Sequence, residues 1–183
     1  MPGTHTRPVR AVRSGPGSLR ERGAILVEMA LIFPIFATLL LGVVSAALAY
    51  GQSSAIHNAS REAARFGATQ SVEGDLPLWL ANVALVAEAA ATGDLDVTAD
   101  GHAVCVAYVY PDGATTHDRT HSLTVNKLGN IETYKPCFVD GRPITERRVQ
   151  VLVTRPTTIQ TGFWSQDVTL SANGVNIFER ALP

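Results

Sequence analysis

The chain has 183 residues, 46% of them hydrophobic and 17% charged, with 15 basic and 16 acidic side chains and a formal net charge of -1. That length suits one small domain plus a membrane segment, and so much apolar content excludes disorder over most of the chain. The near-neutral total hides an asymmetry: Arg7, Arg10, Arg13, Arg20 and Arg22 face the lone acid Glu21 within residues 1–23, and the remainder is acidic in balance, which gives no footing for nucleic-acid binding.

Residues 1–22 are rich in Arg, Pro, Gly and Ser and hold too few bulky apolar groups to offset their ordering entropy, so a disordered leader is expected. From Ala24 to Tyr50 the sequence turns apolar (AILVEMALIFPIFATLLLGVVSAALAY). From Met29 onward about 22 residues pass without a charge, roughly 33 Å of helix and enough to cross a bilayer. Arginines precede this run and none follows until Arg61, which sets the N-terminus in the cytoplasm and everything after Tyr50 on the far side of a bacterial inner membrane. Pro34, in the first third of the span, is tolerated in lipid. A secretory signal peptide cut after Ala47-Leu48-Ala49 would also fit, but such peptides use an apolar stretch of only about 7–15 residues. A plain signal anchor accounts for everything except Glu28.

A carboxylate inside an apolar segment needs a partner. If the chain is cut between Gly23 and Ala24, the new α-amino group starts the helix one turn from Glu28, on the same face, and the two charges compensate. Alternatively Glu28 pairs with the terminus of a neighbouring subunit. In an uncut chain, Glu28 snorkels to the headgroups or pairs with Arg22.

The run Arg20-Glu21-Arg22-Gly23-Ala24-Ile25-Leu26-Val27-Glu28, with its long apolar sequel, resembles the leader of type IV pilins and pseudopilins, specifically the TadE-like proteins of the Tad (Flp) pilus. The resemblance implies cleavage after Gly23 by a prepilin peptidase, with Glu28 as fifth residue of the mature chain. It also implies partnership with other Tad pseudopilins and with the pilus platform proteins and their ATPase. Met29 departs from the Glu-Tyr pair of the major Flp pilin, and the greater length points to a minor pseudopilin. Asn58-Ala59-Ser60-Arg61-Glu62-Ala63-Ala64-Arg65 resembles the N-A-A-R-E-G-A-R segment that follows the TadE membrane helix, with Ala64 in place of glycine, and Val168 to Ala172 resembles the family's closing strand.

Beyond the membrane, the helix is expected to continue amphipathically over Gln52 to Phe66. Ile56, Ala59, Ala63 and Phe66 form one stripe and His57, Arg61 and Arg65 another, with Glu62 able to pair with Arg65. The expected organisation is thus a leader (1–23), a transmembrane and amphipathic helix (24–67) and an extracytoplasmic α+β domain (68–183). Asp75 caps a second helix, with Pro77 in its first turn and Gly93 past its end; Trp79, Leu80, Val83, Val86 and Ala90 belong to its core face. Strand patterns follow at Leu95–Thr98, Ala103–Tyr110, Arg148–Thr154 and Val168–Ala172. Val149, Val151 and Val153 alternate with Arg148, Gln150 and Thr154, the polar set on the exposed face of an antiparallel sheet. The pilin-like fold class is therefore α+β, a long helix leading into a sheet with a second helix packed on it.

Residues 111–147 carry turn signals and little periodicity, and read as a loop-rich excursion. Cys105 at its start and Cys137 near its end are expected to form a disulfide outside the cytoplasm. Neither belongs to a Cys-x-x-Cys motif, so redox catalysis is not implied. Ile159, Phe163 and Trp164 form an apolar patch that serves either core packing or contact with the membrane surface or a partner. His117, His121, Asp112 and Asp118 approach a metal set but lack any motif spacing, and no hydrolase, phosphate-loop or dinucleotide fingerprint occurs. The reading is of a non-enzymatic protein without cofactor, held in the membrane and acting through subunit packing; an uncleaved membrane-anchored binding or adhesion module is the alternative. Gly42, Ser45, Ala46 and Ala49 are the small residues expected to admit a partner helix.

Overall fold

A computed structural model of the chain describes residues 17–72, 75–91, 93–110, 120–143, 146–161 and 164–178. Its first element, α1 (Gly17–Thr69), is one unbroken helix of 53 residues. It starts inside the basic leader, where disorder was expected. Leu19-Arg20-Glu21-Arg22 are good helix formers, and adding residues to an existing helix is far easier than nucleating one. The portion from Gly23 is long and apolar enough to cross a membrane, and its most apolar stretch is exposed to the surroundings. Pro34 lies inside the helix, and the Thr38 hydroxyl donates 2.7 Å to the Pro34 carbonyl.

The second half of α1 is docked. Ile56, Ala59, Ser60, Ala63, Ala64, Gly67 and Ala68 are buried at three- and four-residue spacing. Phe66 is only half-buried, and the stripe is built of smaller residues than expected because the helix lies very close to the rest of the domain. A Cβ on Gly67 would stand 3.1 Å from Trp79, Val83 and Val149 side-chain atoms.

α2 (Leu76–Ala90) begins as predicted: the Asp75 carboxylate accepts from the Leu78 N–H at 3.1 Å, and Pro77 sits in the first turn, where its missing donor is harmless. Trp79, Leu80, Val83, Ala84 and Ala87 face the core, with Val86 and Ala90 at its margin. Trp79 meets Tyr108 edge-on, with ring centres 5.8 Å apart. Past the helix, Gly93 adopts φ +84°. Leu95–Thr98 is not a strand. It forms turns held by Asp96, whose carboxylate accepts from the Thr98 N–H at 2.9 Å and whose own N–H donates to His102 Nδ1 at 3.1 Å.

Five strands make one antiparallel sheet in the order β3-β2-β1-β4-β5: β1 (Ala103–Val109), β2 (His121–Asn126), β3 (Gly129–Thr133), β4 (Arg148–Gln160) and β5 (Ser165–Ile177). The supposed loop excursion therefore contains a hairpin, β2–β3, turned at Lys127-Leu128. β3 is exposed throughout and carries no alternating apolar face, so the usual signal of a strand is missing. Both helices cover one face of the sheet, over Val104, Val106, Tyr108, Leu123, Val149, Val151 and Val153.

β4 and β5 are far longer than predicted and stay paired from Arg148↔Ile177 to Gln160↔Ser165. β1 begins at Ala103 opposite Thr154, so Pro156 lies beyond the β1 pairing and its missing N–H is tolerated. β5 lies against α1 so tightly that a Cβ on Gly174 would collide with the Ser60 carbonyl.

Candidate functional site

Docking of one α1 face leaves another in water. Asn58, Arg61, Glu62 and Arg65, at helical spacing, are exposed and with Ala90 border an open groove of about 490 Å³. Among the described residues, the side chains of Arg61, Glu62 and Arg65 make no ion pair, so the Glu62–Arg65 pair is not formed. A solvated pair of this kind gains only a few tenths of a kcal/mol, too little to hold two long side chains together. The stripe thus presents two guanidinium groups, a carboxylate and an amide without ion-pair partners among the described residues.

On the apolar half, Gly23, Ala24 and Glu28 are all exposed, with Glu28 one turn beyond Ala24. Glu28 has no ion-pair partner among the described residues; the side chain of Arg22 lies outside them. Exposed large apolar side chains flank it in Ile25, Leu26, Val27 and Met29 and continue along the helix to Leu48 and Tyr50. The small residues Gly42, Ser45 and Ala49 behave differently from expectation. They are half-covered by the chain's own β4–β5 hairpin, and the Ser45 hydroxyl donates to the Gln160 carbonyl, so of the four only Ala46 is left fully open. An arm from the same chain has taken the place expected for a second helix.

The far face of the sheet holds a cluster that alternation alone misassigned. The Cys105–Cys137 disulfide is formed, with Cα atoms 5.9 Å apart, and it pulls the segment after β3 across β1 and onto β4. Arg148 and Gln150, expected on a solvated face, are consequently 6% and 0% exposed. Their partner is Asp140: its carboxylate takes Arg148 Nε at 2.7 Å and Nη2 at 2.9 Å, and Gln150 Nε2 at 2.9 Å. Arg148 Nη1 also donates to the carbonyls of Pro143 and Glu146, both at 3.0 Å. Burial alone would raise the Asp140 pKa, but the hydrogen bonds from Arg148, Gln150 and the Arg142 N–H prevail and hold it below the ordinary carboxylate value. The cluster is a structural clamp, since every charge in it is paired. Asp140 was not singled out from the sequence, although the cysteine spacing was a signal: a bridge to Cys105 forces the residues after Cys137 onto neighbouring β4.

Of the histidine and aspartate set, Asp112, His117 and Asp118 lie outside the described residues, and the His121 ring packs against Tyr134 at 4.9 Å. Phe163 also lies outside them, while Ile159 is half-buried on β4 and Trp164 is 57% exposed.

Residues 23–65 match the family model described as TadE-like protein. The match starts at the Gly23–Ala24 junction, takes in Glu28 and ends at Arg65, so it covers the apolar half of α1 and the whole polar stripe and leaves the sheet outside. No curated protein and no solved structure matches the chain.

Proposed function

We propose that the protein is a minor pseudopilin-like, TadE-like component of Tad (Flp) pilus assembly, held in the inner membrane by α1 and acting through helix–helix and subunit packing without catalysis. One observation carries the reading: a single continuous helix joins a naked apolar half, with one acid near its start, to a half docked on an α+β domain, and the TadE-like match falls on that helix. Prepilin peptidase would cut between Gly23 and Ala24, and the ammonium so created would sit one turn from Glu28 and offset its charge in lipid. Other Tad pseudopilins would contact the exposed stripe of Asn58, Arg61, Glu62 and Arg65, and platform proteins would engage the membrane half. The domain is on the extracytoplasmic side in this reading, in keeping with its disulfide.

The test is the N-terminal mass of the membrane-fraction protein from cells with and without prepilin peptidase. A peptidase-dependent start at Ala24, together with loss of co-purifying pseudopilins on Glu28→Ala, is expected. The unbroken helix across Gly23–Ala24 favours the second reading, an uncleaved membrane-anchored binding or adhesion module; an intact leader on the working protein would select it.

A further inference from the structure

The β4–β5 hairpin outruns the sheet. Beyond Thr154, where pairing with β1 stops at Ala103, and past the contacts of Arg155 with Asp94 and of Pro156 with Gly101, it continues along α1 toward the helix N-terminus. Three contacts set its course: Thr157 Oγ1 donates to Gln52 Oε1 at 2.6 Å, the Gln160 carbonyl accepts from Ser45, and the Thr161 methyl stands 3.8 Å from where a Cβ of Gly42 would be. Thr161 and Trp164 are joined by the Thr161 N–H to the Trp164 carbonyl at 2.9 Å. They are therefore level with Gly42 to Ser45, on the order of 7–12 Å before Tyr50 and inside the apolar stretch.

Hydrocarbon does not admit an open sheet edge, because its free N–H and carbonyl groups have no partner there. Polar groups flank the aromatic end of the hairpin: Gln160, Thr161, Ser165 and Gln166 border it in sequence, and the Thr158 hydroxyl bonds Asp167 at 2.6 Å. The hydrocarbon must then end at or below the tip. About 20 residues span the roughly 30 Å of a hydrocarbon core, and counting back from Val43 reaches Ala24. The opposite boundary falls on the Gly23–Ala24 junction, with Arg20 and Arg22 just outside it. Trp164 is a large amphipathic ring, more than half exposed, at the level where such rings concentrate.

We propose that the β4–β5 tip seats in the phospholipid headgroup layer where α1 leaves the membrane, with Trp164 as its anchor, and thereby sets the depth of α1 so that the hydrocarbon spans Ala24 to Val43. Asp167 is the only charge between Ile159 and Thr169, so the contact rests on the ring and on polar groups, and it is insensitive to salt. The inference rests on α1 crossing a membrane and is independent of any role in a pilus.

The full chain reconstituted in phosphatidylcholine vesicles tests it. Flotation with the vesicles reports insertion of α1. Lipids brominated near the acyl carbonyl or near the chain end then report the depth of Trp164, read as the fluorescence difference between the wild type and Trp164→Phe, with buried Trp79 common to both. Stronger quenching by the shallow bromines, unchanged by salt, is expected. A water-soluble maleimide should label Ala46→Cys and spare Leu39→Cys. A floating protein whose Trp164 is unquenched, or quenched more by deep bromines, overturns the tip assignment alone, and protection of Ala46→Cys overturns the depth. Failure to float would remove the membrane-anchor reading beneath both.

Discussion

The two halves of α1 use the same backbone for opposite ends. From Ala24 to Tyr50 the helix is apolar on nearly every side, with Glu28 its one charge, and among the described residues the β4–β5 arm meets it at Gly42 and Ser45, whereas from Ile56 to Ala68 it is apolar on one narrow stripe and polar elsewhere. The membrane half is rich in Leu, Ile and Phe; the docked stripe is almost all Ala, Ser and Gly. Bulk suits a helix whose surroundings are fluid and take any shape. Smallness suits one pressed onto a rigid strand, where the Gly174 backbone meets that of Ser60. The halves are therefore energetically separable: what holds the domain together should not hold the chain in the membrane, and the reverse.

Changes to the far face of the sheet test that separation most severely. Asp140→Ala leaves Arg148 buried without its counter-charge and should lower domain stability by about 3–5 kcal/mol, read from chemical unfolding in detergent, with vesicle flotation unaltered. Loss of flotation together with the fold would show that the halves are coupled. Removing the 32-residue disulfide link by Cys105→Ser with Cys137→Ser should lower the same unfolding free energy by about 3–4 kcal/mol, again without releasing the chain from vesicles. The reciprocal change is Ile35→Lys, at the middle of the apolar span, which should disfavour insertion by about 2.5–3.5 kcal/mol and leave the unfolding midpoint of the domain in place. A shifted midpoint would mean that the domain leans on the membrane half.

Gly174→Ala addresses the junction. The new methyl forces β5 off Ser60, and a penalty of about 1–3 kcal/mol is expected in domain unfolding; a neutral result would show that strand and helix are not in close contact in solution. Acid should have the mildest effect. Burial and the nearby Arg155 hold the His102 pKa below its usual 6.5, so the imidazole stays neutral in the fold, where its Nδ1 accepts from Asp96 N–H. A depressed pKa means that protons bind the unfolded chain more readily, so this contribution is present above pH 6.5 and declines as pH falls below it. The Asp140 contribution, from a carboxylate held below 3.8, declines only in stronger acid. His102→Gln should flatten the first decline and leave the second.

Both halves of α1 were legible in the sequence because each has a simple pattern. The charge-free run announced a long apolar helix that the domain leaves uncovered, and the Ile56, Ala59 and Ala63 spacing announced a core. The α2 cap and the valine alternation were legible for the same reason. The β2–β3 hairpin was not, since an exposed edge strand such as β3 has no buried face to imprint a period of two. Arg148 and Gln150 misled because polarity was read as exposure; a polar residue can also be buried when a crosslinked segment brings it a carboxylate. The candidate stripe at Asn58, Arg61, Glu62 and Arg65 was readable as motif, and its exposure followed from the buried stripe beside it. The reach of the β4–β5 arm to Gly42 was hidden because the Gln160-Thr161 end of β4 carries no pattern that names a helix in the same chain.

That arm also removes a symmetry. A bare apolar helix can be approached from any direction around its axis, but where α1 nears the domain one flank is already occupied by the arm at Gly42 and Ser45 and the others are exposed. Neighbours are admitted from the unoccupied flanks alone, so successive copies or partners must arrive with a fixed rotational setting, and any array built from them inherits a hand.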